Sequence, residues 1–215
     1  MTFLIVIVGW ILSLSLHEFS HALVAYLGGD YTVREKGYLT FNPLKYTHPV
    51  YSILLPLLFL VLGGIGLPGG AVYIEKWRLR SRNWESAVSL AGPGSNLVLG
   101  IVLAVILQLS PVQNSGLWPG LAFLALLQVM AAVLNLLPLP PLDGYEIISP
   151  FLNPNLRAQM DQLSGAMIWV LFLVLWYVPV INNAFWSLVF TIANRMGVPL
   201  QLAGLGLSQF MFWRH

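Results

Sequence analysis

The chain has no cysteine, so disulfides, thiolate metal ligands and cysteine nucleophiles are all excluded. Charge is also scarce: 8% of the 215 residues are Asp, Glu, Lys or Arg, against about a quarter in a soluble globular domain. With 58% hydrophobic residues, that shortage excludes a soluble protein and leaves an integral membrane protein. The formal net charge of +2 is too small to argue for a nucleic-acid partner. No linker is long enough to separate soluble domains from one another, so a single membrane-embedded domain over residues 1–215 is expected.

Apolar runs are abundant. Five segments can enter a lipid bilayer, over residues 2–27, 50–68, 88–109, 118–138 and 165–193. The first lacks a basic start and is too long for a cleaved leader, so it is expected to stay in the mature protein. Seven of the ten Lys and Arg residues lie in two stretches, Arg34, Lys36 and Lys45, then Lys76, Arg78, Arg80 and Arg82, whereas the connection 110–117 has none. The positive-inside rule puts both basic stretches in the cytoplasm and 110–117 and the N-terminus outside. Segment 50–68 then begins and ends on one side. Its Pro56 and the glycine-rich 63–70 suit a re-entrant path, with a plain crossing as the alternative.

The C-terminal segment 165–193 is too long for one straight span and is interrupted by Pro179 and Asn182-Asn183, so it is one kinked helix or two pieces. The tail after it, rich in Gly and aromatic residues, is expected along the membrane interface. The fold class expected is therefore an all-α polytopic membrane protein with about five embedded segments. One β feature is added: Tyr31, Val33, Tyr38 and Thr40 flank Arg34-Glu35-Lys36-Gly37 and predict a small hairpin over 30–41, with Val72-Tyr73-Ile74 as a further strand. A solvated loop is the alternative there.

Inside the first apolar run lies His17-Glu18-Phe19-Ser20-His21. A charged or strongly polar group at the middle of a membrane helix costs on the order of 2.5 to 3.5 kcal/mol on insertion scales, and metal binding is the natural offset. Positions i and i+4 share a helix face, so His17 and His21 can present two imidazoles to one ion. Glu18 is then placed to act on a water held by that metal rather than on the metal itself. The other reading is a chance pair on a polar stripe, but such stripes usually employ Ser, Thr or Asn.

A catalytic zinc site usually takes three protein ligands and leaves a position for water. The candidates for the third are His48, His215, Asp143 and Glu146; His48 beside Pro49 reads better as a loop histidine. Asp143 follows Pro138, Pro140 and Pro141, which no helix continues through, so the backbone becomes extended just before it. At about 1.5 Å per residue, His17 lies roughly 22 Å into a hydrocarbon core about 30 Å thick. The segment from Trp118 enters from outside and brings Pro138 close to the same inner face, where Asp143 can meet the histidines if 50–68 does not cross. A turn or helix-cap aspartate before Gly144 is the other reading.

The chain resembles the site-2 protease family, zinc peptidases that cut within the membrane, in its short bacterial form. The resemblance rests on His17-Glu18-Phe19-Ser20-His21, Ala91-Gly92-Pro93-Gly94-Ser95-Asn96 and the run from Asn135 through Asp143-Gly144, in that order. It implies His17, His21 and Asp143 as ligands of Zn2+ and Glu18 as general base. Asn135 is implied as a group that holds the substrate carbonyl or oxyanion, a helix-packing asparagine being its other reading. It implies a catalytic core over about 2–145, a bacterial plasma membrane and a site open to the cytoplasm. The substrates it implies are single-span membrane proteins, such as anti-sigma factors or remnant signal peptides. No stretch is long enough for an inserted PDZ or CBS domain. For Asn96, packing among small residues is at least as good a reading as catalysis. A helical substrate must unwind before attack, and the 30–41 hairpin is the expected edge for strand addition. The competing functions are an inactive zinc-binding scaffold and a transporter.

Overall fold

The computed structural model describes residues 1–45, 60–61, 72–110, 114 and 116–214. The expected re-entrant path of 50–68, apart from Leu60 and Val61, lies outside the described residues, as do His48 and His215. The described chain is mostly helical: α1 (Thr2–Gly28), a single turn α2 (Thr32–Glu35), α3 (Arg82–Leu109), α4 (Trp118–Asn135), α5 (Asp143–Ile148), α6 (Pro154–Tyr177), α7 (Pro179–Arg195) and α8 (Leu200–Phe210). Four of these, α1, α3, α4 and α6, are long and apolar enough to cross a membrane.

Helix α4 is the centre. It is apolar around its whole circumference, and a helix of that pattern belongs inside a bundle; every residue from Ala122 to Asn135 is buried. Helices α1, α3 and α8 pack against it, bringing Val6, Trp10 and Leu14 from α1 and Leu103, Ala104 and Leu107 from α3 into one core with Phe123, Leu127 and Met130. Helix α6 is the opposite case, with Leu171 and Phe172 its only buried residues.

Residues 165–193 form two helices rather than one kinked one. Proline has no N–H to continue the ladder, and α6 ends at Tyr177 while α7 starts at Pro179. Asn182 closes the break by donating to the Leu175 carbonyl at 2.8 Å. The tail does not simply lie along an interface: Leu202, Ala203, Gly206 and Phe210 bury one face of α8 in the bundle.

The hairpin expected over 30–41 is not formed, and no strand occurs among the described residues. The chain turns helical at Thr32 because the Asp30 carboxylate accepts from the Thr32 N–H at 3.1 Å and from its hydroxyl at 2.6 Å, the local side-chain-to-backbone bonding that opens helical turns. A two-stranded ribbon has little to set against that contact. Residues 72–75 carry no regular structure either, and the Val72 and Glu75 N–H groups go to side chains rather than to a ladder. Gly29, at φ +117°, reverses the chain after α1. That reversal lets the Arg80 N–H reach the Gly28 carbonyl at 3.0 Å.

Candidate metal centre

His17 and His21 lie one turn apart on α1 and are both buried. Asp143 is the first residue of α5, delivered there by a non-helical stretch after Asn135 that includes the cis bond between Pro140 and Pro141. The three side chains converge. Nε2 of His17 lies 3.0 Å from Nε2 of His21, and the Asp143 carboxylate stands 3.2 Å from the first and 3.3 Å from the second. One ligand atom from each falls within 4.8 Å of the other two. Of the other candidates for third ligand, Glu146 pairs with Lys76 instead and stays out of the cluster.

The ring orientations decide what this cluster can hold. His21 Nδ1 faces the Val88 carbonyl at 2.6 Å, and His17 Nδ1 faces Asn96 Oδ1 at 2.6 Å. Both partners are pure acceptors, so each ring carries its proton on Nδ1 and turns a bare Nε2 lone pair inwards. Among the described residues no hydrogen-bond donor reaches the buried Asp143 Oδ2. Two imidazole nitrogens and a carboxylate thus face one point, an arrangement that favours a cation between them. Two imidazoles and a carboxylate are a donor set suited to catalytic zinc, and outward Nδ1–H bonds are the usual way ligand histidines are oriented. The residues present fit such an ion.

Glu18 is buried beside the cluster, and its Oε2 accepts the Val72 N–H at 3.1 Å. It opens onto a cavity of about 520 Å³ that His17, His21, Asp143 and Asn135 also line. All five residues singled out in the sequence therefore meet in one place. The cavity rim adds Lys76, Glu146 and Glu85, the last 3.7 Å from Arg157 of α6. Outside the rim, hydrogen bonds from Arg78 and Lys36 hold the Glu75 carboxyl below its ordinary range.

Three contacts of the site were not readable beforehand. Asn96 faces His17, a contact that its place among small residues left open between packing and catalysis; the available signal was an amide within an apolar run. The Val88 carbonyl and the Val72 amide are backbone groups, which leave no mark in a sequence.

A family model described as peptidase family M50 matches residues 3–114. The chain is similar to "Putative zinc metalloprotease Rip2" of Mycolicibacterium smegmatis, 46% identical over 215 residues, which are 98% of this chain and 81% of the relative. The protein of the same name in Mycobacterium tuberculosis is 45% identical over 214 residues, again 98% and 81%. "Putative zinc metalloprotease YwhC" of Bacillus subtilis is 35% identical over 191 residues, 83% of each chain. No solved structure matches the chain significantly.

Proposed function

The chain belongs to peptidase family M50, and from that premise we propose that it is an intramembrane zinc metalloprotease of the site-2 type, cutting single-span membrane proteins. The observation that carries the reading is the convergence of His17, His21 and Asp143 on one point, with Glu18 on the same cavity. Bound there, zinc supplies Lewis acidity, which polarises the scissile carbonyl and brings the pKa of water to about 7.

The chain's own residues do the rest. His17 and His21 give their Nε2 lone pairs and Asp143 a carboxylate oxygen, which fixes where the carbonyl must sit. Glu18 takes the proton of the attacking water on a carboxylate oxygen and returns it to the leaving amine. Asn135 donates its side-chain N–H to the oxygen that becomes negative as the carbonyl carbon turns tetrahedral, a contact typically worth about 3 kcal/mol.

Two considerations support action within the membrane. His17 and His21 belong to an apolar helix long enough to cross, so substrates that present a scissile bond at that depth are themselves membrane segments. The basic residues flanking α1 and α3 favour a site open to the cytoplasm, and the bacterial relatives favour a plasma membrane. Anti-sigma factors and remnant signal peptides are the substrates to try first.

The test is zinc content and cleavage of a panel of single-span peptides by the purified chain, with Glu18→Gln alongside. The variant should keep its zinc and lose cleavage by roughly 10²- to 10⁴-fold. Equal cleavage by the variant, or ion flux across vesicles without any proteolysis, overturns the proposal.

A further inference from the structure

Gln128 stands in the middle of α4, fully buried, where its neighbours along the helix are apolar. A side-chain amide in such a span needs partners. Its Oε1 accepts from Asn96 Nδ2 of α3 at 2.8 Å and from Ser13 Oγ of α1 at 2.5 Å. Asn96 Nδ2 also donates to Ser13 Oγ at 3.2 Å. The far end of the same Asn96 amide, Oδ1, is the atom that faces His17 Nδ1. One buried network thus joins three helices and ends on a ligand of the proposed metal.

An amide has a donor end and an acceptor end, and exchanging them changes what its neighbours see. With Nδ2 turned to Gln128, Asn96 offers His17 an acceptor, the ring proton stays on Nδ1, and Nε2 is free to bind a cation. With Asn96 turned over, an N–H faces Nδ1 and the ring proton moves to Nε2, where a donor replaces the Lewis base. With Gln128 Oε1 held by the Ser13 hydroxyl, that state sets Asn96 Oδ1 against it, acceptor to acceptor in a buried site, and only a turn of the Gln128 amide as well, bringing round its unpartnered Nε2, relieves the clash.

We propose that Gln128 is a positioning residue of the metal site, holding Asn96 in the orientation that fixes His17 as its Nδ1–H tautomer. Gln128 is not among the described residues that form the cluster or line the cavity, and it reaches His17 through Asn96. The inference rests on His17 being a zinc ligand.

The test is the zinc affinity of the full purified chain, stripped of metal and titrated against a competing chelator. Gln128→Met keeps the length of the side chain and removes the acceptor; it should weaken zinc binding about tenfold or more. In the Asn96→Asp background both oxygens accept and no turned-over state exists, so the same substitution should change affinity less than about threefold. Equal losses in both backgrounds mean that Gln128 merely packs, and they overturn the proposal, as does unchanged affinity on Gln128→Met alone. Should that variant not fold, nitrogen-15 NMR of the metal-free wild type decides: an Nδ1–H tautomer at His17 is expected, and an Nε2–H tautomer overturns the proposal. A wild type that binds no zinc overturns the ligand reading and this one with it, whereas zinc binding with either adverse result overturns this one alone.

Discussion

Gly92 of α3 lies directly against His21: a Cβ built on it would stand 2.3 Å from His21 Nε2 and 2.5 Å from His17 Nε2. No atom fits there without moving the rings. Gly92→Ala should therefore abolish stoichiometric zinc binding while leaving helix content intact, since Ala is the better helix former by about 1 kcal/mol. Metal analysis beside far-UV circular dichroism checks this. Full zinc occupancy in a folded variant would contradict the packing of α3 on α1.

Gly144 does for the third proposed ligand what Gly92 does for the first two. Its added Cβ would meet the carbonyl oxygens of Leu136 and Leu137 at 2.3 and 2.5 Å, and backbone gives way far less readily than a side-chain tip. Gly144→Ala should displace the first turn of α5 and carry Asp143 away from the histidines. Zinc affinity is expected to fall by roughly 10- to 100-fold, as for other disturbances just outside a ligand set. A chelator competition measures it, and wild-type affinity would show that α5 does not fix Asp143.

These two glycines mark how far the site was legible in the sequence. The i, i+4 histidines and the proline run before Asp143 are local signals with a local cause, and each led to a side chain that the fold brings to the cluster. The apolar runs likewise located α1, α3 and α4. What failed were readings that depended on distant partners. Residues 30–41 alternate like strands, yet Asp30 commits its carboxylate to Thr32 and to Glu75, 45 residues away, and the ribbon never forms. For Asn96 packing and catalysis both stayed open, because its partners, His17, Ser13 and Gln128, come from two other helices. Tertiary contacts of that kind have no periodicity to read.

Asp30 itself offers a test of how Glu18 is held. Its carboxylate is wholly buried and receives the Thr32 N–H and hydroxyl on Oδ1 and the Glu75 N–H, at 2.8 Å, on Oδ2. Three residues before Glu75, the Val72 N–H rests on Glu18. Asp30→Asn puts an NH2 group against one of these donors and should cost about 1–3 kcal/mol of stability. Faster amide exchange at Val72 and Glu75 should accompany the loss, with reduced cleavage and undiminished zinc. Exchange rates unchanged at both amides would detach Asp30 from the segment over Glu18.

Tyr145 ties the helix that carries Asp143 to α6: its hydroxyl donates to Asp161 Oδ1 at 2.6 Å from a ring that is almost wholly buried. Burial and then the Asp161 contact push that hydroxyl up from 10 to about 12. Because the folded value lies above the unfolded one, the contribution to stability is complete below about pH 10 and is lost as pH rises through about 12. Tyr145→Phe removes the group, so at neutral pH it should be less stable than wild type by about 1 kcal/mol. The gap should then close as both proteins are taken from pH 10 towards 12, because only the wild type has this proton to lose. Parallel thermal melts at neutral and alkaline pH measure it. A gap that stays constant across that range would mean the hydroxyl does not hold α5 against α6.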